Sequence, residues 1–339
     1  MLLVAAAKTQ EPAAATPLPD GASPGDGKGN EGILGGIWSL MMDHMLLSAI
    51  LLIAILAIAA VIVPVCRRGG RIMAKPGLQN GAVSRQAGPG VLTIGNAQHI
   101  GKREDQQDSF GISDIGNPQL TRDKGMLAVV ADGMGGLANG KISSNTVVSS
   151  MLERFVEQTG TLTIPEQLLS MVNWANDRVY ESANQGSGAR SGSTVAAVII
   201  KNGSLYWISA GDSRIYLYRN GKLAQATQDH VYGNELFADA LQGRITLEEA
   251  KMHREKKSLI SYIGTAKVEH VDRNAASFRL YPGDRILLCS DGIYGALAES
   301  EIAGALDLEP HLAAEELVVR VNGKQLPGQD NMTAVVIGL

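Results

Sequence analysis

Several residue types that often announce a function are scarce in this 339-residue chain. Only two cysteines are present, Cys66 and Cys289, far apart and in unlike surroundings. That excludes a disulfide framework and fits reducing conditions for the C-terminal part; with no C-x-x-C pattern, it also argues against a structural zinc site. His99, His230, His253, His270 and His311 show no metal-ligand spacing either. Aromatic residues make up only 4% of the chain while hydrophobic residues reach 45%, so the apolar content is mostly aliphatic. Positive charge is not in excess. The formal net charge is −4, which removes the basic face that a nucleic-acid binder needs. No internal repeat is visible.

What is there divides into four stretches. Residues 1–44 read as a disordered tail outside the cytoplasm: 8–32 are rich in Pro, Gly, Ala and acidic residues, and cannot bury enough apolar surface to offset ordering entropy. From Met45 to Cys66 there is no charged residue, and Leu, Ile, Val and Ala dominate. At about 1.5 Å of rise per residue such a run crosses the hydrocarbon core as a transmembrane helix, and it lies too far from Met1 for a signal peptide. Arg67, Arg68, Arg71 and Lys75 follow the span, whereas only Lys8 and Lys28 precede it, so the C-terminal part should face the cytoplasm. The expectation is a single-pass protein of the inner (plasma) membrane. Residues 67–90 read as a flexible linker, and 91–339 as one domain.

Within that domain, strands are expected near 91–98, 126–131, 193–201, 204–210, 214–219, 284–289 and 332–338. Helices fit 138–158, 165–184, 246–256 and 311–323. Tyr206, Ile208, Ile215 and Leu217 recur at period two, and the pairs Asn202-Gly203 and Asn220-Gly221 are hairpin signals. Hairpins with helices between them imply antiparallel sheets covered by helices, an α+β architecture.

The aspartates fall at particular places. MLAVVADG ends in Asp132-Gly133, LYWISAGD in Gly211-Asp212 and ILLCSDG in Asp291-Gly292; Asp330-Asn331 opens MTAVVIGL. Each is an apolar run with a carboxylate at its tip. Brought together, such tips would repel unless a cation sat among them. Oxygen donors without His or Cys suit Mg²⁺ or Mn²⁺; calcium takes similar donors, but no EF-hand loop is present. Any one of these Asp-Gly pairs, taken alone, is equally a turn.

The motifs in order resemble the protein phosphatase 2C type of metal-dependent serine/threonine phosphatases. The resemblance rests on Arg103-Glu-Asp-Gln-Gln107-Asp108, Asp132-Gly-Met-Gly-Gly136, Ser191-Gly-Ser-Thr194, Gly211-Asp212-Ser-Arg214, Asp229-His230, Ser290-Asp291-Gly292 and Asp330-Asn-Met-Thr333, and spans Thr93–Leu339. It implies a four-layer α/β/β/α sandwich of two antiparallel sheets. It also implies two Mn²⁺ or Mg²⁺ ions: Asp132 bridging, the Gly133 carbonyl on one ion, Asp291 and Asp330 on the other, Asp108 holding coordinated water, and Asp212 on a third, weaker ion. Arg103 would grip the substrate phosphate, as a planar bidentate donor does well. The implied reaction is hydrolysis of phosphoserine and phosphothreonine on proteins by hydroxide activated between the ions. The implied partners are phosphoproteins and a cognate serine/threonine kinase, and the D-G-M-G-G form points to a bacterial source.

Some residues depart from the pattern. Gln106-Gln107 stands for the family's Asn-Glu, which removes a charged metal ligand. Met134 stands where animal members carry a histidine, and Ser261-Tyr262 replaces a common Thr-Arg pair. The segment Thr246–Lys256 reads as an exposed amphipathic flap beside the site. A low-activity or inactive phosphatase fold that scaffolds phosphoproteins is the alternative, and a phosphatase for small phosphoesters a third.

Overall fold

A computed structural model describes residues 92–135, 138–184 and 191–339. The expected tail, span and linker lie outside the described residues. Among the described residues, no helix is long and apolar enough to cross a membrane.

The strands are β1 (Thr93–His99), β2 (Asp108–Ile112), β3 (Met126–Met134), β4 (Gly192–Ser193), β5 (Val195–Lys201), β6 (Ser204–Ala210), β7 (Arg214–Arg219), β8 (Lys222–Gln225), β9 (Asp272–Arg273), β10 (Phe278–Arg279), β11 (Arg285–Cys289) and β12 (Met332–Gly338). The helices are α1 (Pro118–Lys124), α2 (Ala138–Glu157), α3 (Ile164–Asn184), α4 (Tyr232–Leu241), α5 (Leu247–Met252), α6 (Asp291–Tyr294), α7 (Glu299–Leu306) and α8 (Pro310–Gly323). Two antiparallel sheets form. One runs β1-β12-β11-β7-β8; the other runs β10-β6-β5-β3-β2, with β9 on β6 and β4 on β3.

The side-chain alternation of the central strands explains the layers. Along β3, Met126, Ala128 and Val130 point into an aliphatic layer shared with Ile286 and Leu288 of β11 and Val335 and Ile337 of β12. Leu127, Val129 and Ala131 point the other way, against Val147 and Met151 of α2 and Leu168, Met171, Val172, Ala175 and Val179 of α3. The alternate residues of β12, Ala334 and Val336, meet Ala313, Leu317 and Val321 of α8. A strand buried on both faces is a continuous apolar run, which is why MLAVVA and MTAVVIG read so plainly in sequence. Three aliphatic layers thus separate four structural ones, the expected α/β/β/α arrangement.

Asn202 and Gly203 have φ of 51° and 68°, and Asn220 and Gly221 have 50° and 75°, the left-handed pairs that two-residue hairpins need. These turns join β5 to β6 and β7 to β8. The helix expected over 246–256 is shorter. Thr246 caps α5 in a reciprocal box with Glu249, but the helix stops at Met252 and His253 is extended. The reason lies downstream: Gly233 N donates to Lys256 O (2.8 Å), Tyr232 N to Ser258 O (2.9 Å) and Ile260 N to His230 O (3.0 Å). Residues 256–260 are committed to a strap against 230–233 and cannot also continue a helix. Periodicity does not mark the strands β2, β8, β9 and β10 or the helices α1, α4, α6 and α7, which are short or only half buried.

Replacing Ile286, fully buried between the sheets, by alanine should cost about 2–5 kcal/mol. Calorimetry should show a Tm lower by several degrees, while Ile142→Ala, at a side chain 53% exposed, should change it little. Equal effects of the two would contradict the sandwich core.

Candidate active site

The carboxylates gather at one edge of the sandwich. Asp108 begins β2 and lies directly across from Asp132 near the end of β3. Asp212 follows β6, Asp291 starts α6 and Asp330 leads into β12. Burial and the neighbouring Asp108, Asp291, Asp212 and Asp330 push the Asp132 carboxyl well above the ordinary carboxylate range. Burial raises Asp108 to about 6, opposed by hydrogen bonds from Ser290 and Thr333. Asp212 is raised to about 6 by burial, with Asp291 and Asp229 adding repulsion. Asp291 is raised by burial and by Asp330, and Lys257 and Arg103 partly offset this.

The framework around the cluster is specific. Asp108 Oδ2 accepts from Ser290 Oγ (2.6 Å) and Thr333 Oγ1 (2.8 Å), while its buried Oδ1 has no partner. The backbone of Asp132 is held by Thr194 Oγ1, which accepts from Asp132 N at 2.9 Å, and by Ser193 Oγ, which donates to Asp132 O at 3.0 Å. Tyr294 OH donates to Asp212 O (2.9 Å). Asn331 fastens the Arg103 loop: its Oδ1 accepts from Gln107 N (2.7 Å), and its Nδ2 donates to Ile100 O (2.8 Å) and Asp105 O (3.0 Å). Gly133 packs so tightly on the first turn of α2 that a Cβ there would lie 2.0 Å from Gly140 O. Two clefts open on the cluster. The first, about 560 Å³, runs between Arg103 and Asp132 and reaches Gln107, Gly133 and Asp330. The second, about 430 Å³, is lined by Met134, Ser191, Leu259 and Tyr262 together with Asp132, Asp212 and Asp291.

Arg103, Asp108, Asp132, Gly133, Asp212, Asp291 and Asp330, the candidate site residues, therefore sit together, with Arg103 paired to Asp330. Gln107 also lines the first cleft. Sequence reasoning assigned no part to Asn331, Ser290, Thr333, Tyr294 or Lys257. The first three stood beside quoted aspartates, and their hydroxyl and amide groups were the available signal; Tyr294 and Lys257 had none. His230 is structural: its Nδ1 accepts from Gly211 N (3.2 Å) in the turn before Asp212. Cys289 is fully buried, and burial pushes its thiol far up, so it is no nucleophile.

The donor set fits divalent cations. Asp108 Oδ1 and Asp291 Oδ1 are buried without a hydrogen-bond partner, every nearby donor is oxygen, and the carboxyls are raised by one another. Among the described residues, no three His, Cys, Asp or Glu side chains close on a common point as a finished shell.

Stability of the metal-free domain should follow. The folded carboxyls of Asp108 and Asp212, at about 6, hold protons that the unfolded chain releases near the ordinary 3.8. The folded state then binds more protons between these values, so stability should fall as pH rises from about 4 to 7. In EDTA, Asp212→Asn should flatten that slope and raise Tm at neutral pH above wild type, and Mn²⁺ should raise the wild-type Tm. A wild-type Tm that climbs with pH across this window would refute the repulsion.

Comparison with known proteins agrees with this geometry. The family model described as protein phosphatase 2C matches residues 96–325. A serine/threonine phosphatase stp of Listeria innocua is 28% identical over 239 residues, covering 69% of this chain and 90% of the relative. The fold is similar to the S. agalactiae serine/threonine phosphatase, with a TM-score of 0.64 and 28% identity over 74% of this chain and 100% of that one. It is also similar to the catalytic domain of the serine/threonine protein phosphatase PstP in complex with two manganese ions, with a TM-score of 0.58 and 27% identity over 73% of this chain and 97% of that one. With its sequence, its sandwich and its acidic edge in agreement, the chain belongs to the protein phosphatase 2C family of serine/threonine phosphatases.

Proposed function

We propose that this chain hydrolyses phosphoserine and phosphothreonine on proteins at a binuclear Mn²⁺ or Mg²⁺ centre on the cytoplasmic face of a membrane. The observation that carries the reading is the edge where five aspartates meet, Asp108 buried and Asp330 partly exposed, two of the five with orphaned oxygens, beside a cleft lined by Arg103. Asp132, the Gly133 carbonyl, Asp291 and Asp330 would hold two ions, Asp108 would hold coordinated water, and Asp212 would hold a third ion. When bound, the ions supply Lewis-acid charge and lower the pKa of water.

The chain's own residues then have defined tasks. Arg103 lies at the cleft mouth with its guanidinium on Asp330, within reach of a phosphate entering beside that carboxylate. A fork of donors fixes the equatorial oxygens of the phosphate and neutralises their charge. Asp108, fixed by two hydroxyls through Oδ2, presents Oδ1 as a site that accepts or holds a proton near neutral pH. Met134 lines both clefts and carries no proton, so protonation of the leaving oxygen falls to water held at the cluster.

With the purified full-length chain, turnover of p-nitrophenyl phosphate and a phosphothreonine peptide should require Mn²⁺ or Mg²⁺ and stop in EDTA. Asp132→Asn and Asp291→Asn should each lose more than about 100-fold, beyond the loss typical of a group one step removed from a metal. Arg103→Ala should raise KM by about 10- to 100-fold, the worth of a charged hydrogen bond. A folded protein without turnover under any of these metals would favour the phosphoprotein-binding scaffold.

Membrane attachment is proposed from the uncharged run 45–66 and the basic residues after it. After cell lysis, the full chain should sediment with membranes and resist alkaline carbonate, whereas a chain lacking residues 45–66 should stay in the supernatant. Release of the full chain by carbonate would remove the span.

A further inference from the structure

The second cleft is larger than a phosphate needs, and the first cleft already serves the Arg103 side. Its walls are of a different kind. Tyr262 and Leu259 come from the strap and the segment after it, and Met134 from the end of β3. These walls are built rather than loose. Ile263 and Ser193 exchange backbone hydrogen bonds of 3.0 and 2.8 Å, and Val231 bridges Leu259. The Tyr262 ring packs closely on Gly192, where a Cβ would come within 2.6 Å of its Cδ2. The lining also includes three acids, Asp132, Asp212 and Asp291.

The sequence just before the cleft-lining Ser258 is rich in cations. Lys251, Arg254, Lys256 and Lys257 are interrupted by one acid, Glu255. Lys256 Nζ turns back to Lys251 O at the end of α5. Lys257 is exposed and comes next before the cleft-lining Ser258. Its ammonium is near enough to Asp291 to lower that carboxyl against the effect of burial. Arg103 does the same.

We infer that this cleft is a subsite for the residues flanking the phosphorylated one: an apolar side chain sits against Tyr262, Leu259 and Met134, and a neighbouring carboxylate meets Lys257. The inference rests on the hydrolase reading above and names its substrate class, phosphorylated segments of apolar and acidic character. Tyr262 gives the cleft an apolar wall, and the only cation this assigns to the peptide is Lys257.

The test compares kcat/KM of the full-length chain on paired phosphothreonine peptides that differ only beside the phosphothreonine, Glu against Lys and Leu against Gly. An exposed ion pair is worth up to about 1 kcal/mol, so the Glu peptide should be preferred by roughly fivefold at low salt. High salt should shrink the preference. Lys257→Glu should invert it and Lys257→Arg should retain it; Tyr262→Ala should flatten the Leu-to-Gly ratio. An unchanged Glu-to-Lys ratio in Lys257→Glu would overturn the subsite. So would an equal rise in KM for p-nitrophenyl phosphate, which would place Lys257 on the phosphate itself. A wild-type chain that turns over neither p-nitrophenyl phosphate nor any peptide would instead overturn the hydrolase reading, and the subsite with it.

Discussion

Mutual repulsion among clustered carboxylates is the constraint around which this domain is arranged. Asp108, Asp132, Asp212, Asp291 and Asp330 come from five separate places in the chain and meet at one edge of the sandwich. Nothing in their own chemistry favours that meeting without a cation. It is imposed by aliphatic layers on both sides of β3 and β12, whose burial sets the register that places Asp108 across from Asp132. Local groups then hold each acid where the layers put it. Ser290 and Thr333 fix Asp108, Thr194 and Ser193 fix the backbone of Asp132, and Tyr294 fixes Asp212. Hydrophobic burial thus sustains an electrostatically unfavourable edge, and that edge gains cation affinity from the same repulsion.

The supports are linked to one another. The Arg214 guanidinium stacks 3.6 Å from the centre of the Tyr294 ring and grips Asp229 through Nε and Nη2. Tyr294 closes the short helix that Asp291 opens, and its hydroxyl reaches the backbone of Asp212. Asp229 precedes His230, which accepts from Gly211 and donates its own amide to Gly211 O. His230 O in turn receives Ile260 N of the strap. One chain of contacts therefore runs from the acidic edge to the segment that carries Lys257 and leads to Tyr262. The apolar and acidic residues lining the second cleft belong to one framework.

How much of this was legible in sequence depended on how each element is buried. β3, β5, β11 and β12 are buried on both faces, so their runs are unbroken and their ends, with the aspartates, were plain. Asn-Gly pairs marked two hairpins because few other residues accept a positive φ. β2 was missed although it carries Asp108: DSFGI is short, and its glycine and polar residues hide the alternation. α5 was drawn too long because Lys251, Glu255 and Lys256 continue its polar face, whereas the strap that ends it is a pairing with residues over twenty positions earlier. The roles of Asn331 and Thr333 depend on contacts with Gln107 and Asp108, more than two hundred positions away. Local pattern carries no trace of such distance. Motif order found the cluster; only the fold shows what holds it.

β12 lies between β1 and β11, and it is buried along its whole length. Its sheet joins the first strand of the domain to one made nearly two hundred residues later, and the joining strand comes after both. During synthesis, β1 and β11 have no partner in common until residues 332–338 have left the ribosome. The loop before that strand also brings Asp330 and the Asn331 clasp on the Arg103 loop. Nascent and truncated chains would therefore lack both the strand that joins β1 to β11 and the last acid, so that competence to bind cations arrives together with completion of the fold.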